Sequence, residues 1–253
     1  MLSNSFSDLG HRPGSPLYLA VRQRLAEAIS TGEWSPGDAI PAEKKLCERF
    51  GVSMGTLRRA VDQLIAAGLL VRQQGRGTFV AQHSQDRYLF SFFHVVRQDG
   101  RKEYPAVRFL RCAFTSADKF AAEELSIKTG ARLLHLTNEL SLAGEVAVID
   151  EIFLPVALFP NISEQRLRER RTTLYQLYQD EFAITVVRTA ERLRAAAATS
   201  ALARQLSVAV DSPLLQIIRV AYSFDDQPVE LRRSFVNTSR CEYRPDPYYR
   251  ERD

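Results

Sequence analysis

The stretch from Ile40 to Leu69 constrains this chain more than any other part of it. Glu43 to Phe50 puts Leu46 and Phe50 one turn apart on a short amphipathic helix, and Gly51-Val52 breaks it. Ser53 stands where a side-chain oxygen can accept a free N–H at the start of the next helix. In that helix Leu57, Ala60, Val61, Leu64 and Ile65 fall on one stripe, with Arg58, Arg59, Asp62 and Gln63 outside it. Gly68 offers the left-handed conformation that ends it. Leu69 to Arg72 and Thr78 to Val80 follow as two short strands around Gln74-Gly75-Arg76-Gly77. Upstream, Leu17 to Ile29 carries Leu17, Val21, Leu25 and Ala28/Ile29 on one face, and is closed by Gly32 and the turn Pro36-Gly37. Three helices and a glycine-tipped hairpin in this order specify a winged helix-turn-helix.

Charge marks the same region. Residues 43–76 hold seven Lys/Arg against three acids, whereas residues 81–253 hold 24 basic and 23 acidic residues. A local positive field over a nearly neutral remainder suits a phosphate-bearing partner. The buried stripe of the second short helix docks on the other two helices, so its N-terminal turn projects and can enter a major groove. Arg58, able to bond two acceptors on a guanine edge, is the first candidate for base reading. Thr56 can meet a thymine methyl or a phosphate, and Lys44 suits a backbone phosphate. The wing glycines allow close backbone approach, which lets Arg76 reach the minor groove or its phosphates. The expected contact set is Lys44, Ser53, Thr56, Arg58, Arg59, Gln74, Gly75, Arg76 and Gly77.

Gln82 to Arg87 is polar and without period, and reads as a linker between units at 11–81 and 88–247. In the second unit, Phe90–Val96, Ala106–Cys112 and Ile184–Leu193 read as strands, and Ser116–Leu125, Thr173–Tyr178 and Ser200–Leu206 as helices. Leu133–Leu142 and Val146–Leu154 form a hairpin around Ala143-Gly144, and Leu214–Phe224 pairs with Pro228–Asn237 around Asp225-Asp226-Gln227. The fold class is α+β with a central antiparallel sheet. Asp150 or Glu151 must point into the sheet's covered face, and the same question arises at Glu230 and Arg188. A buried charge without a partner is costly, so such positions are candidate ligand contacts.

Residues 16–80 resemble the winged helix-turn-helix of the GntR family of bacterial transcription regulators. The resemblance rests on Pro16-Leu17-Tyr18, Pro36-Gly37, Ile40-Pro41-Ala42-Glu43, Val52-Ser53, Thr56-Leu57-Arg58, Leu64, Gly68-Leu69 and Gly75-Arg76-Gly77-Thr78-Phe79-Val80. It implies DNA contacts at Lys44, Thr56, Arg58, Gln74 and Gly75. Many members carry arginine directly after the serine of the turn; Met54 stands there, which implies an altered operator preference. Residues 85–245 are similar to the HutC branch, whose ligand-sensing domain is called UTRA and has a chorismate-lyase-like fold. That similarity rests on Phe153-Leu154-Pro155, Phe159-Pro160, Leu174-Tyr175, Ala203 to Leu206, Ser212 to Leu215, Arg219, Ala221-Tyr222 and Pro228-Val229-Glu230. It implies a metabolite-binding, dimerising domain with carboxylates in its pocket, and an anion-binding loop at Ser91 and Phe92. The expected ligand set is Ser91, Phe92, Asn138, Asp150, Arg188, Glu230 and Phe235. Phosphate sensors of the branch carry arginines where this chain has Asn138 and Leu140, so the expected effector is weakly anionic: a carboxylate, an amine or a sugar.

The expected protein is an effector-responsive regulator, most often a repressor, that binds a palindromic operator on double-stranded DNA as a homodimer. Two other classes are weighed. A catalytic, lyase-like second unit would need converging acid-base groups, but His11, His83, His94 and His135 have neither triad nor metal spacing, and no phosphate loop is present. A ligand-independent DNA binder would need a basic or disordered tail, which the neutral, patterned second unit does not provide. Cys47, Cys112 and Cys241 are odd in number and far apart, so neither a metal site nor a disulfide framework is expected, and no cofactor. No apolar run approaches the roughly 18 residues of a membrane span, and the start of the chain lacks a signal peptide's apolar core, so a cytoplasmic, nucleoid-associated location is expected.

Overall fold

A computed structural model of the chain describes residues 16–82, 92–101 and 103–245. The chain divides into two compact units, residues 1–82 and 83–253.

The first unit contains α1 (Leu17–Ser30), α2 (Glu43–Phe50), α3 (Met54–Ala66), β1 (Leu70–Gln73) and β2 (Gly77–Val80). Its core is the set of stripes read from the sequence: Val21, Leu25, Leu46, Phe50, Leu57, Ala60, Val61 and Leu64 are all buried. Ser53 caps α3, accepting from the Thr56 N–H at 3.3 Å. Gly51 and Gly68 take the left-handed conformation after α2 and α3, at φ 63° and 70°. The β1–β2 hairpin is extended by residues 37–40, since Gly37 N–H donates to Val80 O at 3.0 Å and Ile40 N–H to Thr78 O at 2.9 Å. The wing is thereby tied to the connection between α1 and α2.

The second unit contains β3 (Val95–Arg97), β4 (Ala106–Ser116), α4 (Lys119–Glu124), β5 (Arg132–Leu142), β6 (Glu145–Pro155), α5 (Glu164–Glu169), α6 (Leu174–Phe182), β7 (Arg188–Ala197), α7 (Ser200–Leu206), β8 (Pro213–Tyr222), β9 (Pro228–Val236) and β10 (Cys241–Tyr243). Six strands form an antiparallel sheet in the order β4-β5-β6-β9-β8-β7, and β3 pairs with β10 apart from it. Side chains alternate across the sheet, so one face carries Leu136, Leu140, Val148, Ile152, Ile217 and Val236. Tyr175, Leu177 and Tyr178 of α6 cover that face together with Phe92, Phe93 and Phe159. The opposite face is covered in two patches, by α4 over Leu133, Ile218, Val220 and Leu231 and by α7 over Ile149 and Leu214.

Several boundaries differ from the sequence reading. Strand β7 begins at Arg188 rather than Ile184, because Val186 is withdrawn into the core before the strand joins the sheet edge. Only Val95–Arg97 of the stretch from Phe90 is strand among the described residues. Helix α5 was not expected: its six residues bury only Leu167, too little apolar period to be seen. The linker read at residues 82–87 lies outside the described residues except for Gln82.

Candidate functional site

In the first unit the expected contact residues lie on an exposed edge formed by α2, the start of α3 and the hairpin. Lys44, Ser53, Arg58, Arg59, Gln74, Gly75, Arg76 and Gly77 are exposed, and Thr56 is half-buried. They are not equally available. Ser53 Oγ lies 3.0 Å from Thr56 Oγ1, so both hydroxyls already serve the start of α3. The Arg59 guanidinium stacks 4.1 Å above the Tyr18 ring, anchoring α3 on α1. Arg58 is 60 % exposed and donates from Nε to Glu43 Oε2 at 2.8 Å; this hydrogen bond to Glu43 raises its already high pKa. Arg72, not among the expected residues, reaches Asp62 at 3.1 Å and Glu43 at 3.9 Å. Glu43 therefore stands between two guanidinium groups. At the wing tip, Gly75 and Gly77 have φ of 71° and 121°, and a Cβ at either would meet no atom within 4 Å. The open space leaves the backbone there free to approach a large partner.

In the second unit, a cavity of about 240 Å³ opens between the α6-covered face of the sheet and the segment joining α5 to α6. Its position follows from register. Phe109, Asn138, Asp150 and Ser234 lie opposite one another on β4, β5, β6 and β9, so one row of side chains crosses the sheet interior. Asp150 is 2 % exposed and both its oxygens are engaged: Oδ2 accepts from Arg232 Nη1 at 3.0 Å and Oδ1 from Ser234 Oγ at 2.5 Å. Asn138 lines the cavity too, and its Oδ1 is buried with no hydrogen-bond partner among the described residues. The rest of the wall comes from Tyr104, Val107 and Phe109 on one side and Arg168, Arg170, Arg171 and Thr172 on the other.

Of the expected ligand set, the structure brings Asn138 and Asp150 to this cavity, and the other described members do not line it. Glu230 is fully buried behind it, accepting at Oε1 from Tyr175 (3.3 Å) and Arg232 Nε (2.9 Å), and at Oε2 from Tyr178 (2.7 Å) and Arg232 Nη2 (3.2 Å). It holds Arg232 and α6 in place and is not a wall residue. Burial, and then the Glu230 charge, raise the Tyr178 pKa well above the ordinary phenol value, so its proton stays on the bond. Arg188 faces outward from the edge strand, pairing with Asp226 at 2.7 Å and lying over the Tyr222 ring at 3.7 Å. Phe235 follows Ser234 and so points to the other face, onto the α7 patch. Phe92 packs edge-on to Tyr175 with ring centroids 5.1 Å apart, inside the core. Ser91 lies outside the described residues.

Sequence reasoning missed the arginines. Arg232 shares its strand face with Glu230 and Ser234, which alternation alone could have shown. Arg168, Arg170 and Arg171 lie at the end of α5 and just beyond it, where no period flags them. Their presence removes the ground for expecting a weakly anionic effector: β5 has no arginine at positions 138 and 140, but a different segment brings three to the cavity.

A second buried polar group joins β7, β8 and β10 to His94. Arg219 Nε donates to Glu191 Oε1 at 2.5 Å, His94 Nδ1 lies 3.3 Å from Glu191 Oε2, and the Tyr243 hydroxyl also donates to that oxygen. Burial pushes the Glu191 carboxyl up, but the His94 bond, the Arg219 charge and the Tyr243 bond outweigh it and hold the pKa at about 2. No group of three or more His, Cys, Asp or Glu that could hold a metal exists among the described residues. No helix among them is long and apolar enough to cross a membrane.

The comparisons with known proteins agree with both units. The family described as "Bacterial regulatory proteins, gntR family" matches residues 17–80, and the UTRA domain matches residues 100–242. The chain is 32% identical over 88% of its length, and 91% of the relative's, to the "Probable fructoselysine utilization operon transcriptional repressor" of Escherichia coli (strain K12). It is 38% identical, over 48% of its length and 51% of the relative's, to the histidine utilization repressor of Klebsiella aerogenes. Among solved structures, the ligand-binding domain of a protein from Bordetella bronchiseptica described as a GntR-family transcriptional regulator matches with a TM-score of 0.57 and 30% identity. That match covers 61% of this chain and 96% of the other.

Proposed function

Because the chain belongs to the GntR family of bacterial transcription regulators, in the branch whose second unit is a UTRA domain, we propose that it is a homodimeric repressor released from its operator by a small metabolite. The exposed N-terminal turn of α3, with Arg58 at its centre and the open wing tip beside it, is the observation that supports this reading most directly. Two copies related by a two-fold axis would place one α3 in each half of a palindromic operator. Arg58 reads a guanine edge, Lys44 and Arg76 hold phosphates, and Gly75 and Gly77 let the wing come close. The metabolite binds the cavity beside Asn138 and Asp150. It releases the operator only to the extent that it binds the free and DNA-bound forms with different affinity, typically by about 1–3 kcal/mol.

Loss of one base-reading arginine costs about 1–3 kcal/mol per contact. Arg58→Ala therefore weakens operator binding by about tenfold or more in a gel-shift titration, while circular dichroism remains that of the native chain. Unchanged affinity, with the protein still folded, would show that α3 does not read the operator through this residue. Size-exclusion chromatography with light scattering checks the dimer.

A further inference from the structure

A line of alternating charge joins the reading helix of the first unit to its wing. Arg58 Nε of α3 donates to Glu43 Oε2 of α2 at 2.8 Å. Glu43 Oε1 lies 3.9 Å from Arg72 Nη2 of β1, and that nitrogen donates to Asp62 Oδ1 of α3 at 3.1 Å. Two cations face two anions, so removing either guanidinium leaves a carboxylate in surplus. Arg72 is the member that the wing carries. Arg76, the hairpin's other charged residue, lies over the ring of Phe79 within the hairpin itself, 5.8 Å from its centroid. A gap of about 610 Å³ remains between the hairpin and α2, lined by residues 39–43 on one side and 72–78 on the other. Gln73 lines it, and its Oε1 is buried with no hydrogen-bond partner among the described residues. The hairpin is therefore not close-packed against the start of α2 and has room to shift towards it. Its second strand is held by backbone bonds to residues 37–40. The Arg72–Glu43 approach spans the gap at the long end of an ion pair, near enough to be drawn by the charge and far enough to shorten.

We propose that Arg72 is a positioning residue that sets the wing according to what Arg58 finds. When Arg58 turns from Glu43 to a base edge, the Glu43 carboxylate is left with Arg72 as its remaining guanidinium, and Arg72 closes on it. Strand β1 is drawn towards α2, and the wing tip from Gly75 to Gly77 moves with it. On a duplex that gives Arg58 nothing to read, Glu43 keeps Arg58 and the wing stays as it is. A contact of the reading helix thereby favours a contact of the wing, and the reverse holds equally. This rests on α3 and the wing being the operator-binding surface, and adds the residue through which the two act together. Exposed ion pairs are weak, so the coupling is expected to be about threefold in affinity.

A double-mutant cycle on the full chain tests this, with a duplex that the protein itself selects from a random pool. Fluorescence anisotropy gives the affinity of the native chain, Arg58→Ala, Arg76→Ala and the double variant. Losing Arg58 should also weaken what Arg76 contributes, so the double variant should lose about threefold less than the product of the two single losses. The same cycle in an Arg72→Gln background should show losses that simply multiply. Arg72→Lys, which keeps the charge, should restore part of the coupling. If Arg72 merely stabilised the fold, its loss would lower every affinity alike and leave the coupling factor where it was. The proposal is overturned by losses that multiply in the native chain, or by a coupling that persists in Arg72→Gln. Arg58→Ala with undiminished affinity would discard the reading helix, and the proposal with it. A pool from which no duplex is enriched would discard the operator-binding surface as a whole.

Discussion

Asn138 Oδ1 is buried between Phe109 and Asp150 of the neighbouring strands, with no hydrogen-bond partner among the described residues. A leucine of similar volume would satisfy that environment better than the amide does. Asn138→Leu is therefore expected to raise the stability of the ligand-free protein by about 1 kcal/mol while weakening effector binding. Thermal denaturation with and without metabolite checks both signs at once; a lowered midpoint in the free protein would mean that the amide is satisfied after all. Glu191 gives a second residue-scale expectation. Its native pKa of about 2 lies below the ordinary 4.5. The stabilisation it supplies is complete above the higher value and is lost as pH falls from about 4.5 towards about 2, and it amounts to on the order of 3 kcal/mol. Around it stand Arg219, His94 and Tyr243, whose bonds to the ionised carboxylate set the shift. Glu191→Gln should flatten the dependence of urea midpoint on pH across that window. An unchanged slope would assign the acid sensitivity to other carboxylates.

At the scale of elements, the turn between β5 and β6 is strained at one position. Ala143 has φ 49° and Gly144 φ 80°, so a side chain with no local hydrogen bond sits where asparagine or glycine is at ease. Ala143→Asn should stabilise the protein by about 0.5 kcal/mol, read as a higher midpoint in chemical denaturation with the denaturant slope unchanged. The hairpin itself was legible from Ala143-Gly144 between two alternating runs, as was α3 from its stripe and the Ser53 cap. These elements are specified by neighbours in sequence. The ones that escaped are specified by partners far away. The six residues of α5 carry one buried side chain, and the start of β7 is set by where Val186 tucks into the core. The site followed the same division. Asp150, marked in the sequence as a carboxylate that interrupts an apolar strand, lines the cavity. Glu230 was marked for the same reason, but its two tyrosines and Arg232 turn it into a structural anchor. Arg170 and Arg171 could not be found from period at all, because they lie between helices. Phe235 and Arg188 lie away from that cavity, as strand alternation from Ser234 and the edge position of β7 require.

Across the whole molecule, the positive excess is concentrated in residues 43–76, and the rest is nearly neutral. Binding to a duplex should therefore weaken steeply with salt, since each neutralised phosphate releases counterions and contributes a slope of about −0.9 in log affinity against log salt. Lys44→Ala should lower affinity for operator and random DNA alike, and reduce that slope by about one per protomer bound. Fluorescence anisotropy at several potassium chloride concentrations measures it; a loss confined to the operator would make Lys44 a base reader instead.

Glu43 also bears on selectivity. Its carboxylate already holds the Arg58 guanidinium, the group proposed to meet the bases. The incoming groove must displace a resident anion, and a featureless stretch of backbone offers little more than the one given up. An internal competitor of this kind lowers the gain from every contact Arg58 makes with a duplex, and the gain that remains is largest where a guanine edge returns two bonds for the one surrendered.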